Sequence, residues 1–398
     1  VVVQGKVEGN AKARDYHALK PALMPRVLES FSVIGAAADL VIVEGAGSPA
    51  EINLRDGDIA NMGFAQTADV SVVLVGDIDR GGVIASILGT FELLEATERA
   101  RTQGFIINKF RGDVSLFDDG VTILEDRTGT RCFGVVPFFP HARRLPQEDA
   151  MALEYRERVS PSGTIKIAVP RLARIANFDD LDPLAAEPDV AIVIIDPGTA
   201  FPGDADVILL PGSKTTLADL QQVRDEGWDT DILAHHRRGG MIVGLCGGYQ
   251  ILGRAVADPD GIEGPPGEAP GLGLLDVMTV LGGDKSLVER TGTEVEGGET
   301  IRGYEMHIGR TSGPDTARPW LILADGCAEG AISADGRVMA SYLHGIFAAD
   351  GFRHRFLKRL GSQITDTTYE VAVERALDDL AAHMETHLDI DALLDVAY

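Results

Sequence analysis

Short apolar runs recur along this chain, and each of them ends in a polar or glycine-rich loop. In the first half the runs are DLVIVEGAG (39–47), VSVVLVGDID (70–79), FIINKF (105–110) and CFGVVPF (132–138). Runs of this length predict strands buried on both faces, and the helix-like stretch 83–100 between them indicates a parallel, doubly wound α/β sheet. Such sheets bind ligands beyond the carboxyl ends of their strands. We therefore expect functional residues in the loops that follow these runs.

A second series of apolar runs begins after residues 156–164, RERVSPSGT, which are charged and then rich in Ser, Pro and Gly. That composition is typical of a linker. We therefore predict two α/β domains, 1–155 and 165–398, joined by 156–164. The predicted strands of the second domain are IKIAVP (165–170), VAIVIID (190–196), DVILLPG (206–212), MIVGLC (241–246) and VMASYLHG (338–345).

Composition limits the partners of the chain. A formal net charge of −25 argues against nucleic acid, which requires a basic face. The apolar runs are strand-sized and shorter than the about 18 residues of a membrane span, and the first residues do not resemble a signal peptide. Three scattered cysteines fit neither a disulfide framework nor a zinc cluster, and they indicate a reducing cytoplasm. A homo-oligomer is left open.

The stretch GLCGGYQILG (244–253) carries the most specific chemistry in the sequence. A buried strand ends at Cys246, two glycines permit a tight turn, and a helix-forming segment follows. This turn places the sulfur at a helix N-terminus, where the helix dipole favours the ionised thiol. Cys132 and Cys327 lack this context, and we interpret them as ordinary cysteines.

A base and an oxyanion site are needed beside a nucleophilic cysteine. SYLHGIF (341–347) supplies His344 directly after a predicted strand, while LLPGSK (209–214) supplies a glycine loop after another strand. We predict Cys246 and His344 as the catalytic pair. The predicted oxyanion and glutamine-binding residues are Gly212, Ser213, Gly247 and Gln250.

Polar side chains also follow the runs of the first half. We predict that Glu44, at the end of the run 39–44, holds Mg²⁺ near phosphates. The alternative for each of these residues is an ordinary helix cap or loop residue. The predicted nucleotide- and substrate-binding residues are Asp77, Asp79, Arg80, Asn108 and Lys109.

Several motifs together resemble the cobyric acid synthase family. They are GLCGGYQILG, LLPGSK, SYLHGIF and GYEMHIG in the second half, with EGAGSPAEINL, GDIDRGG and RLARIANFDDLDPL elsewhere. The resemblance covers nearly the whole chain. It implies an N-terminal P-loop-NTPase-like domain related to dethiobiotin synthetase, incomplete here, and a C-terminal flavodoxin-like domain of the class I glutamine amidotransferases.

The resemblance also implies the catalytic groups of the second domain. In the wider class a glutamate two residues after the base orients it, whereas Ile346 occupies that position here. The subgroup that this chain resembles works with a Cys–His dyad, so the orienting group of His344 stays unassigned. Glu305 is a candidate, and a purely structural Glu305 is the alternative.

The reaction that the resemblance implies is an ATP-dependent amidation. Mg-ATP phosphorylates the b, d, e and g carboxylates of adenosylcobyrinic acid a,c-diamide, and ammonia from glutamine converts the acyl phosphates to amides. The partners are therefore glutamine, ATP with Mg²⁺, and a corrinoid, with no prosthetic group. Arg80, Arg143 and Arg144 are candidates for contacts with the anionic periphery of the corrinoid.

One motif of the family is absent from the sequence. Nucleotide-binding domains of this kind carry a phosphate loop of the form G-x4-G-K-[ST], and no such string occurs here. We therefore expect the chain by itself to retain glutaminase chemistry but to amidate poorly. The alternatives are a related ligase, such as cobyrinic acid a,c-diamide synthase, and a non-catalytic scaffold of the same fold. Labelling of Cys246 by a glutamine analogue would separate an active domain from a scaffold.

Overall fold

The computed structural model describes residues 1–9, 11, 13–146, 164–283, 286–363 and 368–397. The chain forms two compact units, which we call unit 1 (Val1–Ala142 with Asp378–Tyr398) and unit 2 (Arg143–Leu377). The predicted linker 156–164 lies, except for Thr164, outside the described residues. The predicted domain boundaries stay a prediction.

Unit 1 is built around a three-stranded parallel sheet in the order β3-β4-β5. Its strands confirm three of the four apolar runs predicted in the first half, and the predicted helical stretch 83–100 forms two helices. The strands of this part of the chain are β1 (Val2–Val3), β2 (Lys6–Val7), β3 (Val72–Asp77), β4 (Thr102–Phe110) and β5 (Arg131–Pro137). The helices are α1 (Ala13–Gly35), α2 (Met62–Ala68), α3 (Val83–Leu93), α4 (Ala96–Arg101) and α5 (Asp118–Thr128).

The core of unit 1 lies where α3 and α5 cover the sheet. Ile87 and Phe91 of α3 pack with Phe105 and Ile107 of β4 and with Leu124 of α5. Phe105, Ile107 and Leu124 are fully buried. Burial of such side chains contributes roughly 1.5–3 kcal/mol each, which is why the apolar runs of β3 and β4 settle in the middle of this layer.

The predicted strand at 39–47 is wrong. Residues 40–45 have no regular secondary structure, and Ile42 is 86% exposed. A strand forms only where a neighbouring strand satisfies its backbone groups, and among the described residues β3 pairs only with β4. Glu44 is consequently an exposed residue of an irregular segment rather than the end of a buried strand.

Unit 2 has a six-stranded central sheet and smaller sheets beside it. The central sheet has the order β20-β21-β11-β9-β6-β8. The first strands of the unit are β6 (Ile165–Pro170), β7 (Ile175–Ala176), β8 (Val190–Ile195), β9 (Val207–Leu210), β10 (Gly212–Ser213), β11 (Met241–Leu245), β12 (Ala255–Asp258) and β13 (Gly267–Pro270). The remaining strands are β14 (Met278–Val280), β15 (Ser286–Glu294), β16 (Thr300–His307), β17 (Arg310–Ser312), β18 (Leu321–Leu323), β19 (Ala328–Glu329), β20 (Ala331–Ile332), β21 (Val338–Ser341) and β22 (Leu343–His344).

Short helices flank the central sheet of unit 2 and end close to its strands. They are α6 (Asp182–Ala185), α7 (Thr216–Asp225), α8 (Trp228–Arg237), α9 (Gly247–Leu252) and α10 (Asp350–Lys358). Strands β8, β6, β9, β11 and β21 run parallel, as their continuous apolar sequences predict, and only β20 is antiparallel. The five predicted strands of the second domain are confirmed.

The carboxyl ends of the central strands gather the candidate residues. β9 leads into β10, β11 ends one residue before Cys246, and β21 leads into β22. Since parallel strands end at one edge of the sheet, segments far apart in sequence meet there.

The C-terminal helices are α11 (Tyr369–His387) and α12 (Ile390–Asp395), as the helical spacing of residues 368–398 predicts. The segment from Asp378 onward belongs to unit 1. Leu388 forms a β-bridge with Gly134, and the Asp389 backbone N–H donates to Phe133 O at 2.8 Å. Within the described part of the chain, no helix is long and apolar enough to cross a membrane.

Candidate active site

Cys246 occupies the sharp corner between β11 and α9. Its backbone has φ 50° and ψ −106°, a conformation that non-glycine residues rarely adopt and that costs about 1–3 kcal/mol. The corner is held in place because the Cys246 N–H donates to Ser341 O of β21 at 2.8 Å. The side chain is nearly buried, and its sulfur lies 3.4 Å from Met306 O. A strained, strand-to-helix nucleophile turn is therefore present, as the sequence predicts.

Gly247 explains why the corner needs a glycine. A Cβ at this position would lie 2.8 Å from the Ser213 backbone nitrogen and 2.7 Å from Ser213 Cβ. The turn and β10 can approach each other only without that side chain. Gly247 is also the first residue of α9, where the backbone N–H has no acceptor within the helix. A backbone donor thus lies next to the sulfur.

Strand β10 brings the second glycine loop to the same place. Gly212 pairs with Ala176 of β7, and a Cβ on Gly212 would lie 3.0 Å from His344 Cε1. The Ser213 hydroxyl is engaged elsewhere, since it donates to Asp219 Oδ2 at 2.6 Å. The groups of β10 that can stabilise a developing oxyanion are therefore its backbone N–H groups.

His344 ends β22 with its imidazole inside the unit. Its Nδ1 lies 2.7 Å from Asp180 Oδ2, and the side chains of the two residues are 1% and 4% exposed. Burial by itself lowers the pKa of His344. The charge and hydrogen bond of Asp180, together with the neighbouring Cys246, outweigh burial and raise the pKa to about 10. Within the described residues, Nε2 has no hydrogen-bond partner. That nitrogen is the atom left for proton transfer.

Glu305 is not the orienting group of His344. Its carboxylate contacts His307 Nε2 at 2.8 Å and Arg290 Nε at 2.9 Å. The reason lies in the pleat of β16, where Tyr304 pairs with His344 and its neighbour Glu305 points to the opposite face. Tyr304 instead stacks on the imidazole with ring centroids 5.4 Å apart.

Asp180 is the residue that sequence reasoning missed. It lies in a short 3-10 turn, Phe178–Leu181, within the motif RLARIANFDDLDPL that carried part of the family resemblance. The only signal in the sequence was the acidic pair Asp179–Asp180 between Phe178 and Leu181. Spacing along the chain gave no reason to connect that pair with His344.

Gln250 is buried inside unit 2. Its side chain is 2% exposed, and its Oε1 accepts a hydrogen bond from Thr216 Oγ1 at 2.7 Å. Its Nε2 donates to Ile308 O at 3.1 Å and to Tyr342 Oη at 3.3 Å. Both ends of the amide are thus engaged inside the unit, and the predicted contact between Gln250 and glutamine stays a prediction. Gln250 ties α9 to its surroundings.

A cavity of about 850 Å³ opens beside this arrangement. Its lining includes Tyr304, which stacks on the imidazole, Met306, whose carbonyl contacts the sulfur, and Gly345, which follows the base; neither Cys246 nor His344 is among its lining residues. Charged side chains line the rest of its wall, among them Glu289, Arg302, Asp350 and Glu370. The volume suits a small ligand with charged groups.

In unit 1 the structure brings Asp77, Asn108 and Lys109 together. Asp77 and Asn108 are paired in the register of β3 and β4, and Lys109 Nζ lies 2.7 Å from Asp77 Oδ2. Asp79 pairs with Arg111, which the sequence did not single out, at 2.5 Å. All of these groups lie at the carboxyl edge of the sheet, as predicted.

The remaining predicted residues are Glu44 and Arg80 of unit 1 and Arg143 and Arg144 at the start of unit 2. Arg80 and Arg144 are exposed, and the side chain of Arg143 lies outside the description. The described residues contain no group of three His, Cys, Asp or Glu able to hold a metal ion. Glu44 is therefore not part of a protein metal cluster within that part of the chain.

Comparison with known proteins assigns the family. Residues 166–352 match the CobB/CobQ-like glutamine amidotransferase domain, and residues 17–144 match an AAA domain. Cobyric acid synthase of Mesorhizobium japonicum is 57% identical over 100% of this chain and 80% of that protein. That of Rhodobacter capsulatus is 58% identical over 100% of this chain and 82% of that protein. The chain belongs to the cobyric acid synthase family.

A solved glutamine amidotransferase is also similar to part of the chain. It covers 49% of this chain and 97% of its own, with 17% identity and a TM-score of 0.37.

In this member of the cobyric acid synthase family, Ile346 is fully buried in the apolar core of unit 2. A carboxylate at that position would be costly without a partner. The position two residues after the base has thus become a packing position, and the carboxylate beside His344 comes from another segment.

Proposed function

We propose that unit 2 hydrolyses glutamine, and that the chain uses the ammonia in ATP-dependent formation of cobyric acid. One observation carries the glutaminase proposal: Cys246 in a strained strand-to-helix corner adjoins the buried imidazole of His344. A cavity lined by Tyr304, Met306 and Gly345, which are neighbours of the pair, has room for an amino acid. The family membership supplies the substrate class.

In the first half of the reaction, the Cys246 thiolate attacks the side-chain carbonyl carbon of glutamine. The carbonyl oxygen becomes an oxyanion, which the backbone N–H groups of Gly247 and β10 stabilise. The carbon–nitrogen bond then breaks as His344 Nε2–H protonates the departing nitrogen. Ammonia and a Cys246 thioester are the products. The raised pKa of His344 means that this proton is present at neutral pH.

In the second half, a water molecule attacks the thioester carbon. His344 has given up its proton and can accept one from this water through the same Nε2. The carbon–sulfur bond breaks, glutamate leaves, and the thiolate re-forms beside an imidazolium. The negative sulfur again stabilises the protonated ring, which returns the site to its starting state.

The ATP-dependent half is assigned to unit 1, whose residues 17–144 match an AAA domain. We propose that ATP, with Mg²⁺, converts carboxylates of the corrinoid to acyl phosphates, because phosphate is a far better leaving group than oxide. Ammonia displaces the phosphate to give the b, d, e and g amides. Asp77, Asp79, Arg80, Asn108 and Lys109 stand at the sheet edge where such ligands bind.

The glutaminase proposal is tested with C246S in the full chain. We expect glutamate release from glutamine to fall to background, because a serine hydroxyl ionises far less readily than a cysteine thiol and is the weaker nucleophile. A 6-diazo-5-oxonorleucine adduct should appear at Cys246 of the unaltered protein in peptide mass spectra. The matched control is C327S, since Cys327 is an exposed thiol, and it should keep both hydrolysis and labelling.

Hydrolysis retained in C246S, or no adduct at Cys246, would overturn the proposal and favour a non-catalytic scaffold. For the amide-forming half, mass spectrometry of corrinoid carboxylates incubated with ATP and either glutamine or ammonium measures the amides formed, and we expect the chain by itself to form few of them because no phosphate-loop motif occurs in its sequence. Amidation of a different tetrapyrrole in preference to the a,c-diamide would indicate a related ligase.

A further inference from the structure

We propose that Asp180 positions the catalytic base, so that the glutaminase works with a Cys246–His344–Asp180 triad whose acid comes from the start of the domain. This inference rests on the proposed glutaminase function. It adds a residue for which the wider class uses a glutamate two positions after the base. Asp180 touches neither the glutamine nor the sulfur in this scheme and acts through His344.

The geometry of the carboxylate is the first argument. One oxygen, Oδ2, lies 2.7 Å from His344 Nδ1, and the other, Oδ1, accepts the Gly345 backbone N–H at 2.6 Å. The two bonds fix the carboxylate against the base and against the turn that follows the base. With its Nδ1–H held by Asp180, the neutral imidazole exposes the lone pair of Nε2 to the sulfur side.

Burial is the second argument. Asp180 is 4% exposed and His344 1% exposed, so water does not compete for either partner. In such surroundings a carboxylate next to an imidazole strongly stabilises the imidazolium. The ionisable groups that act on this site are Asp180, Cys246 and Tyr304, with Asp179 acting on Tyr304. Among them, only Asp180 contacts Nδ1.

The third argument is that the same short segment also positions the oxyanion strand. Ile175 and Ala176 form β7, which pairs with Gly212 and Ser213 of β10. Asp180 follows β7 by four residues. Between them, Asn177 donates a 2.5 Å hydrogen bond to the Tyr304 hydroxyl, and the Tyr304 ring stacks on His344. Segment 175–180 thus holds the base on one side and the oxyanion strand on the other.

The test is D180N in the full chain, with glutamine hydrolysis measured from pH 6 to pH 11. Asparagine keeps the size of the side chain but presents an N–H either to the Gly345 N–H or to the His344 Nδ1–H. We expect kcat to fall by about 10²-fold or more, with KM changed much less. The alkaline limb of the kcat profile should move to lower pH by about one unit or more, because the imidazolium loses its carboxylate partner.

The matched control is D315N. Asp315 is also a buried acid of unit 2, and it accepts the Asp276 N–H at 2.8 Å, but it does not contact the base. This variant should keep kcat and the pH profile of the unaltered protein, even if its melting temperature falls. Far-UV circular dichroism of D180N checks that the variant is folded. Alkylation of Cys246 by iodoacetamide against pH gives a second readout that does not require turnover.

Each outcome has a distinct meaning. If the unaltered chain hydrolyses glutamine while folded D180N keeps its kcat and alkaline limb, the role of Asp180 is refuted and the glutaminase function stands. A lower kcat without any shift of the limb also refutes it, since it would indicate a merely structural carboxylate. If the unaltered chain does not hydrolyse glutamine, the proposed function itself fails.

Discussion

At the scale of single residues, Gly212 shows how little space separates the oxyanion strand from the base. An alanine Cβ there would lie 2.9 Å from Ala176 O and 3.0 Å from His344 Cε1. Both distances are shorter than ordinary van der Waals contact, and both neighbours are held by their own hydrogen bonds. The strand or the imidazole must therefore shift.

We expect G212A to lower kcat/KM for glutamine by about tenfold or more while the protein stays folded, because misplacement of well under 1 Å disturbs proton transfer. Steady-state hydrolysis measures the effect. G203A is the matched control, since no atom lies within 4 Å of a Cβ added at Gly203. Equal kcat/KM in the two variants would show that the close approach at Gly212 does not constrain catalysis.

At the scale of elements, Glu329 of β19 holds the strands that lead to the base. Its Oε2 accepts the Ser341 hydroxyl at 2.7 Å, and its Oε1 accepts the Tyr342 N–H at 2.7 Å. Burial, acting against these hydrogen bonds, raises the pKa of Glu329 to about 7. The carboxyl is ordinarily ionised well below that pH, so folding here favours the protonated form.

The consequence is a dependence of stability on pH. Between pH 4.5 and 7 the folded chain holds a proton at Glu329 that the unfolded chain has lost. The stabilisation is complete below pH 4.5, and roughly 3 kcal/mol of it is lost as pH rises to 7. The raised pKa of His344 acts mainly above pH 6.5, outside most of this window.

The variant that tests this is E329Q, which does not titrate; its amide oxygen can accept the Tyr342 N–H, and its amide nitrogen can donate to Ser341 Oγ. We expect the unaltered chain to lose unfolding free energy relative to E329Q as the pH rises from 5 to 7. Urea denaturation at several pH values measures it. A difference that stays constant over this range would contradict the assignment of the proton to Glu329.

Element by element, the parallel strands of both units could be predicted from the sequence, because each of their apolar runs carries its own burial signal. The run at 39–44 carries the same signal and yet is irregular. Whether an apolar run becomes a strand depends on a partner elsewhere in the chain, and no local pattern reports on that partner.

At the scale of the whole molecule, the C-terminal segment from Asp378 onward belongs with unit 1, although the rest of the second half forms unit 2. Leu388 packs this segment against unit 1. Its side chain is 8% exposed, and a Cβ added at Gly134 would lie 3.0 Å from Leu388 Cδ2. The two tryptophans of the chain, Trp228 and Trp320, both lie in unit 2. Their fluorescence therefore reports on unit 2 alone.

We expect L388A to lower the urea midpoint of unit 1, detected by circular dichroism, at a cost of about 2–5 kcal/mol for the lost packing. The tryptophan-detected midpoint of unit 2 should stay where it is. L394A, a change on the same segment at a side chain that is 38% exposed, is the control and should have little effect. Movement of the tryptophan transition with L388A would place the segment's stabilising contacts in unit 2.

The sequence by itself determined the α/β class, the positions of the parallel strands along the chain, the nucleophile turn at Cys246 and the glycine loop at Gly212. These features are local, because a buried run, a helix start and a glycine at a tight turn are each written in a few consecutive residues. Only the tertiary structure decided that Asp180, 164 residues before His344, is the carboxylate beside the base. It also placed the Glu305 carboxylate on His307 and Arg290 instead of on the base, because the face of a strand that a side chain occupies depends on what packs against it.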